Sequence, residues 1–322
     1  MKRVIILTLA LTLALSAVAG ATGLGRDAFL AFRHGIGARA LAMGGAFVAV
    51  ADDGTAGFWN PAGLATLPDI RLGGMSTNLF GIGATHQFAH ASIPLNGFAL
   101  GASWQRMTIT HFLEGGRGAD IRRIPIAAPI HWEESVITAS LATDLDFGLA
   151  GLNFKFYMAP TIAGGDTGFG FDLGLLVPIG EVFTLGFRAT DIGGTTVGDF
   201  GIVTGVFTIG GALTALEGRL LATVDVDVTA GTGLAFGDLA LGDIRVGLEV
   251  AVIEELALRA GITLIGEQSL FSVGAGISIA GLRVDVAYLL HGLGGVAFGG
   301  LVGNHTLIIS AEFALGELFP NW

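Results

Sequence analysis

From Leu221 to Thr229 the chain alternates without a break. Val224, Val226 and Val228 fall on one face, and Thr223, Asp225, Asp227 and Thr229 on the other. A period of two is the mark of a β-strand whose two faces meet different surroundings. The pattern recurs along the chain. Ile244–Val250 sets Arg245, Gly247 and Glu249 against Val246, Leu248 and Val250. Ala257–Leu264 sets Arg259 and Thr263 against Leu258, Ala260, Ile262 and Leu264. Leu282–Leu289 sets Arg283, Asp285 and Ala287 against Val284 and Val286. Near the end, Leu307, Ile309, Ala311 and Phe313 oppose Thr306, Ser310 and Glu312.

Alternation alone fits a soluble sandwich with its polar face outward and equally a barrel in lipid with its polar face inward. Connection lengths separate the two. Strands are expected near 70–80, 85–94, 97–110, 133–145, 147–161, 168–179, 182–192, 203–216, 218–231, 243–254, 256–266, 269–280, 282–291 and 304–315. That makes about fourteen, an even number as bacterial barrels have. Tight connections fall at Leu95-Asn96, Asp146, Gly180-Glu181, Glu217-Gly218, Glu254-Glu255 and Gly281, and the intervening ones, 111–132, 193–202, 232–242 and 292–303, are longer. Short turns on one rim and long loops on the other are the pattern of outer-membrane barrels, with the short side periplasmic. This order predicts both termini in the periplasm.

Composition points the same way. The chain is 52% hydrophobic and 13% charged, so much of its surface is unsuited to water. Lipid admits only helices and closed barrels. The two apolar stretches long enough to weigh as helices, Gly201–Leu216 and Val286–Gly303, are interrupted by glycine, a poor helix former. A net charge of −11 with no basic run after the N-terminus excludes a nucleic-acid binder. The absence of cysteine suits a chain exported unfolded.

The first residues read as a secretory signal peptide, 1–21. Lys2 and Arg3 precede the apolar Val4–Leu15 core, and Ala17-Val18-Ala19 and Ala19-Gly20-Ala21 both fit a cleavage site. Cleavage falls after Ala19 or after Ala21.

Residues 22–69 do not alternate. Ala38–Val50 is small and apolar, Asp52-Asp53-Gly54 reads as a turn, and Phe58-Trp59-Asn60-Pro61-Ala62-Gly63-Leu64 follows. Pro61 pushes Asn60 out of the helical region, and the Asn60 side chain can close a turn on neighbouring backbone. The run from Gly37 to Asp53, followed by Trp59 to Leu64, resembles the N-terminal signature of the PorV/PorQ-like proteins, part of the superfamily of FadL-like long-chain fatty-acid transporters. The resemblance covers about thirty residues; the rest of the chain matches in architecture alone. It implies that 22–69 is a hatch inside a barrel of residues 70–316, with a tail at 317–322. It also implies that Asp52, Asp53, Asn60, Pro61 and Ala62 form the hatch motif, and that hydrophobic ligands enter from outside and leave sideways into the bilayer. In the PorV branch it implies instead a scaffold that holds cargo in type IX secretion. Asn60-Pro61-Ala62 reads as a structural turn or as a ligand contact.

The fold expected is thus all-β: a transmembrane antiparallel barrel of about fourteen strands with a small helical or irregular plug. Lys155, Asp172, Arg188, Asp225, Asp227, Arg245, Glu249, Arg259, Arg283, Asp285 and Glu312 are expected to face the lumen. They serve either as ion pairs that fill it or as a polar path with a carboxylate-binding cation. Arg245, Arg259 and Arg283 come from nearby strands and are candidates to cluster. His86 and His90 share a face but lack a third ligand, so no metal site is expected. No nucleophile and base stand out, so neither catalysis nor a cofactor is expected. The partners expected are outer-membrane lipid, the barrel assembly machinery and a hydrophobic small molecule or a secretion-system partner.

Overall fold

The computed structural model describes residues 35–79, 84–109, 132–161, 164–230, 239–266, 268–291, 296–298, 301–303 and 305–318. The signal-peptide segment lies outside the described residues.

Fourteen antiparallel strands close into one barrel. Along the chain they are β1 (Arg71–Leu79), β2 (Ala84–Leu95), β3 (Phe98–Ile109), β4 (Trp132–Leu145), β5 (Gly148–Thr161), β6 (Gly164–Ile179), β7 (Phe183–Thr190), β10 (Val206–Ala215), β11 (Leu220–Ala230), β12 (Leu239–Ile253), β13 (Leu256–Ile265), β14 (Gln268–Ile279), β15 (Leu282–His291) and β18 (His305–Ala314). Two short hairpins, β8 (Thr195–Val197) with β9 (Gly201–Val203) and β16 (Val296–Phe298) with β17 (Leu301–Gly303), stand outside the wall ladder. Each wall strand pairs with its neighbour in sequence, and Arg71↔Ala314 through Thr77↔Ile308 seals β1 to β18. Closure pairs every wall strand with a neighbour on both sides, the condition for a sheet to cross lipid.

The alternation sorts as its chemistry requires. On β4, Thr138 and Ser140 are buried, while Ile137 and Leu141 are exposed on the outer surface. On β11, Thr223, Asp225 and Asp227 face in and Val224 faces out. The outer wall is apolar, with Phe154 packed against Phe169 and Phe171 at centroid separations of 5.6 and 5.3 Å. A surface of that kind is stable against hydrocarbon and costly against water.

Tight hairpin turns join alternate strand pairs on one rim. Ala280-Gly281 takes φ of 48° and 77°, the left-handed pair a two-residue hairpin turn requires. The opposite rim carries the long connections. Two connections differ from the sequence expectation, since β8–β9 and β16–β17 each form a hairpin where a loop was read. β7 ends at Thr190 and β10 starts at Val206, and the connection read as a loop holds the β8–β9 hairpin instead. Its strands are three residues long, too short for alternation to show. The last strand ends at Ala314, and Leu315–Leu318 forms a single helical turn.

Residues 35–69 lie inside the barrel. They form helices α1 (Ala38–Ala42) and α2 (Ala56–Trp59) and a 3-10 turn (Pro61–Thr66). Ile36, Met43, Phe47 and Leu64 are fully buried. Trp59 stacks edge-on against Phe47 and Phe58, at centroid separations of 6.1 and 5.1 Å, and its indole N–H donates to the Ile36 carbonyl at 3.1 Å. α1 packs on β13–β15 and β18, and the 3-10 turn packs on β4–β6. This hatch sits in the half of the lumen nearer the tight turns, since Pro61 and Ala62 lie against Gly151 near the start of β5.

The hatch backbone touches the wall directly. Inward-facing Gly151, Gly174, Gly186, Gly247, Gly261 and Gly274 meet it on six strands. At Gly261 an added Cβ would collide with the Met43 and Gly44 backbone, and at Gly174 with Asn60 and Pro61. Glycine at these positions is what lets two backbones approach.

Candidate functional site

The hatch leaves the other half of the lumen open as a vestibule of about 270 Å³. That is close to the lower end of small-ligand sites, roughly 300–1,000 Å³. Its floor is the hatch, with Leu41, Phe58 and Trp59 facing up. Its wall is two-sided. Met75, Leu79, Leu270, Leu289 and Ile308, from β1, β14, β15 and β18, make an apolar half. Lys155, Tyr157, Asp172, Arg188, Asp227 and Arg245, from β5, β6, β7, β11 and β12, make a polar half. Side chains facing the lumen of a water-filled porin are polar, so the apolar half marks this lumen off.

The polar half is paired. Lys155 Nζ lies 2.7 Å from both Asp172 and Asp191. The Tyr157 hydroxyl donates to Asp191 at 2.7 Å, the Thr195 hydroxyl at 3.0 Å, and the Asp191 N–H donates to Asp172 at 2.9 Å. The network fixes Asp191, whose φ of 47° turns the chain out of the wall and into the lumen. The β8–β9 hairpin follows, with β8 packed on the inner face of β6 and Val197 fully buried. As a result β7 pairs with β6 only over Leu173–Ile179 and with β10 only over Val206–Leu213. Beyond Leu173, among the described residues, that edge of β6 keeps one backbone bond, Ile192 N–H to the Phe171 carbonyl at 3.0 Å. The stretch of β6 before Leu173 therefore leaves a seam in the ladder beside the vestibule.

Arg245 grips Asp227 through two nitrogens at 2.9 and 2.6 Å and reaches Asp243 at 3.2 Å. Arg188 stands apart. Its Nη1 donates to the Phe58 carbonyl of the hatch at 3.1 Å, and among the described residues no carboxylate forms a salt bridge with it.

The remaining candidates lie lower and hold the hatch. Asp225 accepts from the Phe47 and Val48 N–H groups at 2.8 and 2.9 Å. Asn60, fully buried and extended at φ −161°, accepts from Ala62 N–H at 3.2 Å. Its amide donates to the Val48 carbonyl at 2.8 Å and to the Leu175 carbonyl of the wall at 3.2 Å. The motif thus closes a turn and docks it to β6, while Pro61 starts the 3-10 turn. Glu249 takes two nitrogens of Arg39, at 2.9 and 2.8 Å, and also binds Arg259. Arg259 reaches Asp285 at 2.8 Å, and Arg283 reaches Asp285 at 2.9 Å. Arg39 also binds Asp52 and lies 3.3 Å from Asp53. Burial works against the Asp53 charge, but Arg39, Arg283 and the Thr55 hydrogen bonds together outweigh it and hold the carboxyl below its ordinary range. Glu312 accepts from Gly54 N–H at 2.7 Å and lies 3.6 Å from His90.

One sequence expectation changes. Arg245, Arg259 and Arg283 do not form one cluster. Arg259 and Arg283 share Asp285 at hatch level, while Arg245 belongs to the vestibule. The reason is depth, because four residues along a strand is about 13 Å, and Arg245 precedes Glu249 on β12 by that interval. His86 and His90 share the inward face of β2 at different depths, His86 pairing with Gln105 at 3.0 Å and His90 facing Glu312. Arg39, Asp191 and the apolar lumen residues were not singled out from sequence. Arg39 carried a signal, as the only charge between Gly37 and Val50, because a buried charge demands a partner.

The sequence matches no protein-family model and none of the curated proteins. Solved structures do match. The Pseudomonas putida toluene transporter TodX aligns with TM-score 0.63 at 14% identity, covering 87% of this chain and 98% of its own. A Pseudomonas aeruginosa FadL homologue gives TM-score 0.56 at 14% identity, covering 84% and 96%. The CymD monoaromatic hydrocarbon channel gives 0.59 at 13% identity, covering 87% and 98%. The chain shares the fold of these FadL-type channels.

Proposed function

We propose that this protein is an outer-membrane channel for the passive entry of small hydrophobic molecules. The observation that carries the reading is the vestibule. It opens toward the long connections, has one apolar wall, and is floored by a hatch that blocks the straight path. The fold-level likeness to a toluene transporter and to a monoaromatic hydrocarbon channel supports it. On this reading the ligand is drawn from outside by apolar burial against Leu289, Ile308 and Trp59. It then leaves through the seam along β6 into the bilayer, where no water-filled passage is needed. The tight-turn rim and both termini face the periplasm, the segment 1–21 is a removed signal peptide, and the barrel assembly machinery inserts the chain.

Uptake of a labelled monoaromatic hydrocarbon and of a labelled fatty acid into proteoliposomes tests this. Saturable uptake of either above protein-free vesicles is expected. Uptake indistinguishable from protein-free vesicles for both would overturn the proposal. The PorV-like scaffold reading, with a secretion-system partner, rests on the sequence signature around Asn60 alone; it predicts no saturable uptake.

A further inference from the structure

Most bonds between hatch and wall are single and end on backbone. Thr263 donates to the Gly44 carbonyl at 2.7 Å, Ser272 to the Ala42 carbonyl at 2.9 Å, and Asn153 to the Gly57 carbonyl at 2.7 Å. Arg39 and Glu249 differ. Two guanidinium nitrogens meet two carboxylate oxygens, the charge-assisted, orientation-specific form of contact. Arg39 is on α1 in the hatch and Glu249 is on β12 in the wall.

A buried ion pair is normally hard to part, because each charge is left without a partner. Here neither would be. Arg39 keeps Asp52 and Asp53, which belong to its own segment. Glu249 keeps Arg259, and the wall series Glu249, Arg259, Asp285, Arg283 alternates in sign and sums to zero without the hatch. Among the described residues, the pair is therefore a charged hatch–wall contact whose two halves each keep an opposite charge on their own side. That arrangement lowers the electrostatic cost of parting them, which is what a switching element requires.

We propose that Arg39–Glu249 is a separable latch, and that its release lets α1 swing from β13–β15 and opens a path past the hatch. The inference goes beyond ligand transport, and ion conductance reads the latch whether or not hydrophobic uptake is found.

The test is conductance of the full chain in planar bilayers, with folding checked by heat-modifiable migration on gels. Glu249→Gln keeps the shape and removes the charge, and should raise open probability about tenfold or more, as loss of a charge-assisted hydrogen-bonded pair implies. Arg39→Gln alters the hatch alone and should do the same. The double variant should equal either single one, since both act on one contact. Glu254→Gln, on an exposed turn, should match the parent. Ala38→Cys with Ser310→Cys places two cysteines where the Ala38 N–H of α1 meets the Ser310 hydroxyl of β18 at 3.1 Å. In the Glu249→Gln background, oxidation should return conductance to the parent level and reduction should release it. Parent-like conductance in both single variants would overturn the latch. So would a rise that oxidation of the cysteine pair does not suppress, because the leak would then lie in the wall.

Discussion

Asn60 shows how one side chain can hold a motif to a barrel. Its carbonyl oxygen takes the Ala62 N–H, and its amide reaches Val48 within the hatch and Leu175 on β6. Reaching Leu175 is possible because Gly174, its neighbour on β6, has no side chain where Asn60 and Pro61 lie. Asn60→Ala would strand buried backbone donors and acceptors, at a cost of about 1–3 kcal/mol. Asn60→Asp should cost at least as much, because a carboxylate cannot donate to Val48 or Leu175. Both variants should be cleaved faster within the hatch by limited proteolysis while the barrel keeps its heat-modifiable migration. Parent-like cleavage would show that Asn60 does not dock the hatch. The turn-closing part of this role was legible, since Asn before Pro carries its own local geometry. The bond to Leu175 was not, because it joins positions 115 apart. Arg39 and Glu249 are 210 apart, so their pairing was equally hidden, although the need of Arg39 for some partner was not.

At the scale of elements, the wall strands were readable and the departures from the wall were not. β11 alternates because Thr223, Asp225 and Asp227 face one medium and Val224 another. Alternation weakens wherever an inward position meets the hatch, since Gly247 and Gly261 there are neither polar nor large. The β8–β9 hairpin was hidden for a different reason. Thr195, Val197 and Val203 are all buried inside the lumen, so no polar face repeats. The hairpin is nonetheless the element that shapes the seam. Gly170 on β6 lies against the Thr195 side chain on β8, and the chain has no cysteine to interfere. Gly170→Cys with Thr195→Cys should form a disulfide that pins the hairpin to β6. If the hairpin must move for a ligand to reach the seam, oxidation should abolish hydrocarbon uptake, and reduction should restore it. Equal uptake in both redox states would place the exit elsewhere.

At the scale of the whole molecule, wall and hatch depend on each other unequally. The wall closes by its own ladder, from Arg71↔Ala314 round to β2, and no hatch backbone takes part in it. The hatch has a small core around Phe47 and Trp59, but residues 35–69 fall short of the roughly 40 needed for a domain to fold without staples. It should therefore form only within the barrel. Without the hatch, the inward groups that hold it, Asp225, Asn153, Thr263 and Ser272, would be hydrated by lumen water rather than left unpaired. That removes most of the penalty a buried polar group would otherwise carry. Deleting residues 22–66 should thus leave an inserted, heat-modifiable barrel with clearly raised, steady conductance. The glycines that now meet the hatch would line a wider passage than ordinary side chains would allow. An inserted barrel of unchanged conductance would show that residues 35–69 do not block the lumen. Loss of the barrel itself would show that the wall needs its hatch in order to close.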